Sequence, residues 1–76
     1  MKKKVCEVLV GVNERMKDYL EKDSLVSDGI LDSLDIMNLI MDLEEAFNIE
    51  IDPEDVLSEN FESVDRIIKL VEKCQG

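Results

Sequence analysis

Between Ser27 and Ile51 the sequence reads SDGILDSLDIMNLIMDLEEAFNIEI, and the group best suited to covalent chemistry is one hydroxyl, Ser33, among seven acids. Two roles fit a serine written Asp32-Ser33-Leu34-Asp35 at a helix start. It can belong to a helix cap, since Ser and Asp satisfy the free N–H groups of a first turn. Or it can be a hydroxyl to which something is attached. Catalysis by the chain itself fits poorly. There is no histidine, the side chain that serves as a base near neutral pH. No lysine lies between Asp23 and Asp65 to form a Ser–Lys pair. Paired carboxylates would suit a glycosidase, but one Tyr, two Phe and no Trp make a poor sugar cleft.

Metal chemistry is also disfavoured. Cys6 and Cys74 lie near opposite ends, form no C-x-x-C, and have no histidine to complete a zinc site. They read as small, partly buried thiols without a disulfide. If Gly29 is set at the glycine of an EF-hand loop, Val26 falls on a ligand position and Asp35 replaces the bidentate Glu. No catalytic residue and no metal ligand is expected.

The charge pattern points outward. Nineteen acids against nine bases leave a net charge of −10, and from Asp23 through Asp65 there are fourteen acids and no base. Such a single-sign block repels itself. It reads either as a solvated acidic surface or as a docking surface for basic partners. Nucleic acid is an unsuitable ligand, because its phosphates would be repelled. Lys2-Lys3-Lys4 before VCEVLVGV has the outline of a signal peptide, but Glu7 interrupts the apolar run and no small-residue cleavage site follows. No segment approaches the roughly 18 apolar residues of a membrane span. A cytoplasmic protein is expected.

The 76 residues suit a single domain, 1–76, and scarce Gly and Pro favour helices over many short strands. Val5, Val8, Leu9, Val12, Met16, Tyr19 and Leu20 recur at helical spacing and predict a first helix from about Lys3 to Leu20. Gly11 within it suggests close packing. A loop, DSLVSDGILD, leads to a second helix from Asp32 or Ser33 to about Phe47. Asp32 is its predicted cap, and Asp35 sits in the favourable first turn. NIEI alternates but has no partner strand, so no sheet is expected. Asp52-Pro53 opens a short helix ending near Leu57. Ser63 caps a last helix carrying Val64, Ile67, Ile68 and Val71. The expected fold is all-α, a small bundle of three main helices plus a short fourth.

The second helix carries one apolar stripe too many. Ile36, Ile40, Leu43 and Phe47 share one side, with Leu39 at its margin, and suffice for a core face. Leu34, Met37 and Met41 fall on another side, beside Asn38, Asp42 and Glu45. Either the bundle buries both stripes, or the second is an exposed recognition patch in which methionines adapt to several partners.

The run DSLDIMNLIMDLEEAFNIEI resembles the phosphopantetheine attachment region of acyl carrier proteins, which read D-S-L-D and then an apolar-acidic helix ending L-E-x-x-F-x-x-x-I. The likeness continues more loosely through DPEDVLSENFESVDRIIKLV and covers about Asp28 to Val71. It implies an acyl-carrier-like bundle in which Ser33 carries a 4′-phosphopantetheine arm, donated from coenzyme A by a phosphopantetheinyl transferase. The arm's thiol would hold acyl groups as thioesters and shuttle them between enzymes of fatty-acid or related acyl biosynthesis. By the same resemblance Asp32, Leu34, Asp35, Met37, Met41, Glu44 and Glu45 would meet partner enzymes with basic docking patches, and a freely presented arm favours a monomer.

Two departures bear on the pathway. Gly29 lies four residues before Ser33, where fatty-acid carriers place a glycine three before, and DGILDS is closer to the D-alanyl carriers of teichoic-acid modification. Asn38 replaces an acid common at its position. Asp35 and the LEEAFNIEI ending favour the acyl type. The alternatives are a D-alanyl carrier and an unmodified helical interaction module.

Overall fold

The structure is a computed structural model describing residues 1–76. It contains three α-helices and no strand: α1 (Lys2–Val12), α2 (Ser33–Phe47) and α3 (Val64–Gln75). Short 3₁₀ turns at Glu14–Asp18, Pro53–Asp55 and Ser58–Phe61 fill the connections. No helix is long and apolar enough to cross a membrane.

The first helix ends earlier than its apolar spacing predicts. At Asn13 the backbone is extended (φ −146°, ψ 109°), and the chain resumes as a 3₁₀ turn rather than running on to Leu20. Asn13 caps that turn by accepting the Arg15 N–H at 3.0 Å. The change of direction delivers Met16 fully into the core, so the apolar period continues although the α-helix does not. Gly11 is not a point of close packing: a Cβ there would meet nothing within 4 Å. Gly11→Ala is therefore expected to stabilise the fold by about 0.5 kcal/mol through helix propensity and a less flexible unfolded chain. A small upward shift in Tm would bear this out, and a decrease would contradict it.

α1 and α2 run antiparallel. Lys4 near the start of α1 stands 5.0 Å over the ring of Phe47 at the end of α2, while Asn13 beyond the end of α1 reaches Asp35 in the first turn of α2. The last turn of α2 holds no base of its own. Lys4 thus brings a cation to the negative end of that helix. Asn48 closes α2 in the left-handed conformation (φ 52°), which asparagine tolerates, and returns its N–H to the Glu44 carbonyl.

On α2 the centre of the buried face is Leu39 and Leu43, both fully buried, while Ile36, Ile40 and Phe47 are half-buried flanks. The α1–α2 connection also supplies core of its own. Leu25, Ile30 and Leu31 of that loop are buried in the same cluster. Its backbone is satisfied locally, with the Ile30 and Leu31 N–H groups donating to the Leu25 carbonyl at 3.0 and 2.9 Å. Gly29, at φ 74°, makes the left-handed turn this path requires.

The predicted short fourth helix is a 3₁₀ turn of three residues, capped by Asp52 as expected, with Pro53 at its first position. Its partner, Ser58–Phe61, sends Phe61 into the centre of the core. Ser63 then caps α3, accepting the Arg66 N–H at 3.1 Å. Two bases from outside the acidic block pair with acids inside it, Lys22 with Asp28 at 2.6 Å and Lys73 with Asp55 at 2.7 Å.

Glu62 ties the loop to the start of α3. One oxygen accepts the N–H groups of Val26 and Ser27 at 2.8 and 3.0 Å, and the other accepts the Ser27 hydroxyl. The Ser27 hydroxyl, followed by the Ser27 and Val26 amides, holds the Glu62 carboxyl below its ordinary value of 4.5. A carboxylate depressed in the folded state adds stability above its unfolded pKa and loses it as pH falls through the folded value. The Tm difference between wild type and Glu62→Gln is thus expected to be full at neutral pH and to shrink below pH 4.5. Thermal melts across that range check it; a constant gap would contradict it.

Candidate functional site

Five serines are the only aliphatic hydroxyls in the chain. Three are engaged: Ser24 donates to Asp28, Ser27 donates to Glu62, and Ser63, itself buried, caps α3. Ser33 and Ser58 are exposed, and neither hydroxyl is hydrogen-bonded within the protein. Ser58 opens a 3₁₀ turn of four residues, whereas Ser33 opens α2, a helix of fifteen.

The cap of α2 is Asp32, not Ser33. Asp32 Oδ1 accepts the Asp35 N–H at 2.8 Å, and Asp35 Oδ2 accepts the Asp32 N–H at 3.4 Å, a reciprocal capping box. The Ser33 side chain takes no part in it. The same box answers how a hydroxyl between two acids can accept a further negative group. Both carboxylates face backbone donors, while the N–H groups of Ser33 and Leu34 belong to a first turn that has no intrahelical acceptors. A phosphodiester on Ser33 would lie at the positive end of the α2 dipole. The residues present fit such a group.

Below Ser33 the outer face of α2 is apolar. Leu34, Met37 and Met41 are 63%, 62% and 65% exposed, so the bundle leaves the second stripe in solvent. Asn38, Asp42 and Glu45 beside it are exposed as well. Glu44 is half-buried, and one of its oxygens accepts the Ile51 N–H at 3.0 Å, fastening the chain beyond α2. Asp35 is likewise half-buried in its capping box, and Asp32 is exposed. The seven acidic and apolar positions singled out around Ser33 therefore divide. Leu34, Met37, Met41, Asp32 and Glu45 present themselves to solvent, while Asp35 and Glu44 are held by backbone donors. Val56 and Leu57 form a further exposed apolar pair that the helical spacing did not mark.

Two side chains around the site were not anticipated. Asn13 Nδ2 donates to the Ile30 carbonyl at 3.3 Å and to Asp35 Oδ2 at 3.1 Å. Arg15 Nη2 joins it on the Ile30 carbonyl at 3.3 Å. No motif marks either residue in the sequence, because the apolar spacing runs on past Asn13 to Met16, Tyr19 and Leu20. Cys6 and Cys74 are free thiols, half-buried. No cluster of three His, Cys, Asp or Glu side chains is placed to hold a metal.

A family model described as the phosphopantetheine attachment site matches residues 5–71. The chain belongs to this carrier family. An acyl carrier protein of Desulforapulum autotrophicum is 40% identical over 96% of this chain and 90% of its own length. One of Chlorobium phaeobacteroides is 36% identical over 91% of this chain and 92% of its own. An acyl carrier protein homolog of Mycoplasmopsis pulmonis is 35% identical, covering 87% and 88%. No solved structure matches the chain. Phosphopantetheine carriers are not enzymes; they hold a covalent 4′-phosphopantetheine and work with a phosphopantetheinyl transferase and with acyl-handling enzymes.

Proposed function

We propose that Ser33 is the attachment point of the 4′-phosphopantetheine arm and that the loaded protein shuttles thioester-bound acyl groups between enzymes of fatty-acid or related acyl biosynthesis. The observation that carries this reading is the division of labour at the start of α2: Asp32 caps the helix, leaving the Ser33 hydroxyl exposed and free of hydrogen bonds. In loading, the Ser33 oxygen forms a bond to the phosphorus that bears pantetheine. The pyrophosphate bond of coenzyme A breaks, adenosine 3′,5′-bisphosphate leaves, and the Ser33 proton passes to a base of the transferase. When bound, the arm supplies the thiol that holds an acyl group.

The chain's own residues present and orient. Asp32 and Asp35 hold the first turn through their capping box, and the unpaired N–H groups of that turn offset the phosphodiester charge. Leu34, Met37 and Met41 offer an adaptable apolar strip, with Glu45 and Asp32 beside it to steer basic partner surfaces. Glu44 adds to that acidic field while it fastens the chain at Ile51. Asn38 leaves one place in the field neutral, which favours partners without a base opposite it. The acyl carrier names of the relatives favour acyl cargo over D-alanine. A monomer working in the cytoplasm is consistent with an arm that must visit several enzymes. Incubation with coenzyme A, magnesium and a broad-specificity phosphopantetheinyl transferase should add the mass of one arm to the intact chain. No gain on folded protein would overturn the reading.

A further inference from the structure

We propose that Asn13, twenty residues before the acceptor serine, is a positioning residue for the loading of Ser33. The inference rests on Ser33 being the attachment point. Asn13 interrupts the helical path at the end of α1, with extended backbone, and each atom of its amide has a distinct task. Oδ1 accepts the Arg15 N–H at 3.0 Å. Nδ2 donates to the Ile30 carbonyl at 3.3 Å and to Asp35 Oδ2 at 3.1 Å. The orientation of the amide follows from these partners: reversed, its oxygen would face a carbonyl and a carboxylate.

The two acceptors lie on either side of Ser33, one in the loop that leads to it and one in the turn that follows. Leu31, between Ile30 and Asp32, is buried, so the loop is fixed to the core one residue before the cap. Asp35 Oδ2 receives a second, longer bond of 3.4 Å from the Asp32 N–H, which makes Asn13 the shorter of its two donors. One neutral amide thus joins the end of α1, the approach loop and the capping box. It adds no charge of its own to a surface already crowded with acids. Docking surface and acceptor are held differently. Met37 and Met41 sit further along α2, while the Asn13 bridge, with Arg15 on the same Ile30 carbonyl, joins the approach loop to the first turn around Ser33. Loosening the bridge should therefore misplace the hydroxyl in the bound complex more than it weakens docking.

Asn13→Asp separates this role from simple capping. It is nearly isosteric, keeps an oxygen for the Arg15 N–H, and Asp caps about as well as Asn. It replaces the donor toward Asp35 and Ile30 with a carboxylate that repels both. Steady-state loading is measured with coenzyme A, magnesium and transferase at a temperature where circular dichroism shows each protein folded. The expected result is a kcat about tenfold lower for Asn13→Asp with KM little changed, as suits a misplaced reacting atom. Asn13→Ser, which keeps a capping hydroxyl too short for the bridge, should lose kcat in the same direction as Asn13→Asp.

Unchanged loading of Asn13→Asp would overturn the proposal, as would a defect confined to KM or an Asn13→Ser protein that loads normally. These results would leave the role of Ser33 intact. Failure of the wild type to load would instead remove the attachment reading and this inference together.

Discussion

Ser33→Ala is expected to abolish phosphopantetheine loading completely while leaving Tm nearly unchanged. The two halves of that result have separate causes. Loading fails because the oxygen that must bond to phosphorus is gone, and the other hydroxyls are poor substitutes: Ser24, Ser27 and Ser63 are already hydrogen-bonded, and Ser58 lies on a short 3₁₀ turn. Stability persists because the Ser33 side chain is exposed and bonds to nothing, and alanine is the better helix former. Substitutions at such positions change stability within about 0.5 kcal/mol. Asp32→Ala provides the contrast. It removes the true cap and should cost about 1 kcal/mol. Thermal melts beside intact-mass measurements read both effects. A Ser33→Ala protein that loads normally would exclude Ser33 as the site, and one that melts like Asp32→Ala would return Ser33 to the cap.

The largest effect on folding is expected at Phe61. Its ring is fully buried and belongs to the cluster formed by α1, α2, α3 and the Leu25–Leu31 loop. Truncating a buried phenylalanine to alanine costs about 3–5 kcal/mol through lost burial and the cavity left behind. A chain of this length has a total stability of roughly 4–11 kcal/mol, so the change removes a large part of it. In a domain this small each kcal/mol moves Tm by about 4–8 °C, and Phe61→Ala should lower Tm by more than about 10 °C. Chemical denaturation at low temperature, where some native protein remains, gives the loss directly. A loss under about 1 kcal/mol would mean that the surrounding side chains collapse into the space.

α2, α3 and the 3₁₀ turn after Asp52 were legible because each carries its own cap, whereas α1 has no side-chain cap and shows only in its apolar spacing. Asp32 before Ser33, Asp52 before Pro53 and Ser63 before Val64 all cap where their residue types predict. The extra stripe of Leu34, Met37 and Met41 was visible as a second face at helical spacing, although only packing could decide whether it is buried. What escaped the pattern lies between helices. Leu25, Ile30 and Leu31 are core, but a loop has no period by which to recognise its inward residues. Phe61 is central for the same reason. The end of α1 was misread because Met16 continues the apolar period across a backbone that has turned at Asn13. Around Ser33, the residue types were readable but not their partners. That Asp35 and Glu44 bond to backbone N–H groups, and that Asn13 reaches the capping box from another element, depends on tertiary proximity that spacing does not encode.

The most direct measurement is the position of the arm itself. Wild-type protein loaded from coenzyme A is fragmented in the mass spectrometer, and the phosphopantetheine is assigned to a residue. The expected result is a single arm on Ser33, with Ser24, Ser27, Ser58 and Ser63 unmodified. An arm on any other residue, or folded protein that accepts none, would contradict the assignment of Ser33 as the working hydroxyl of this carrier.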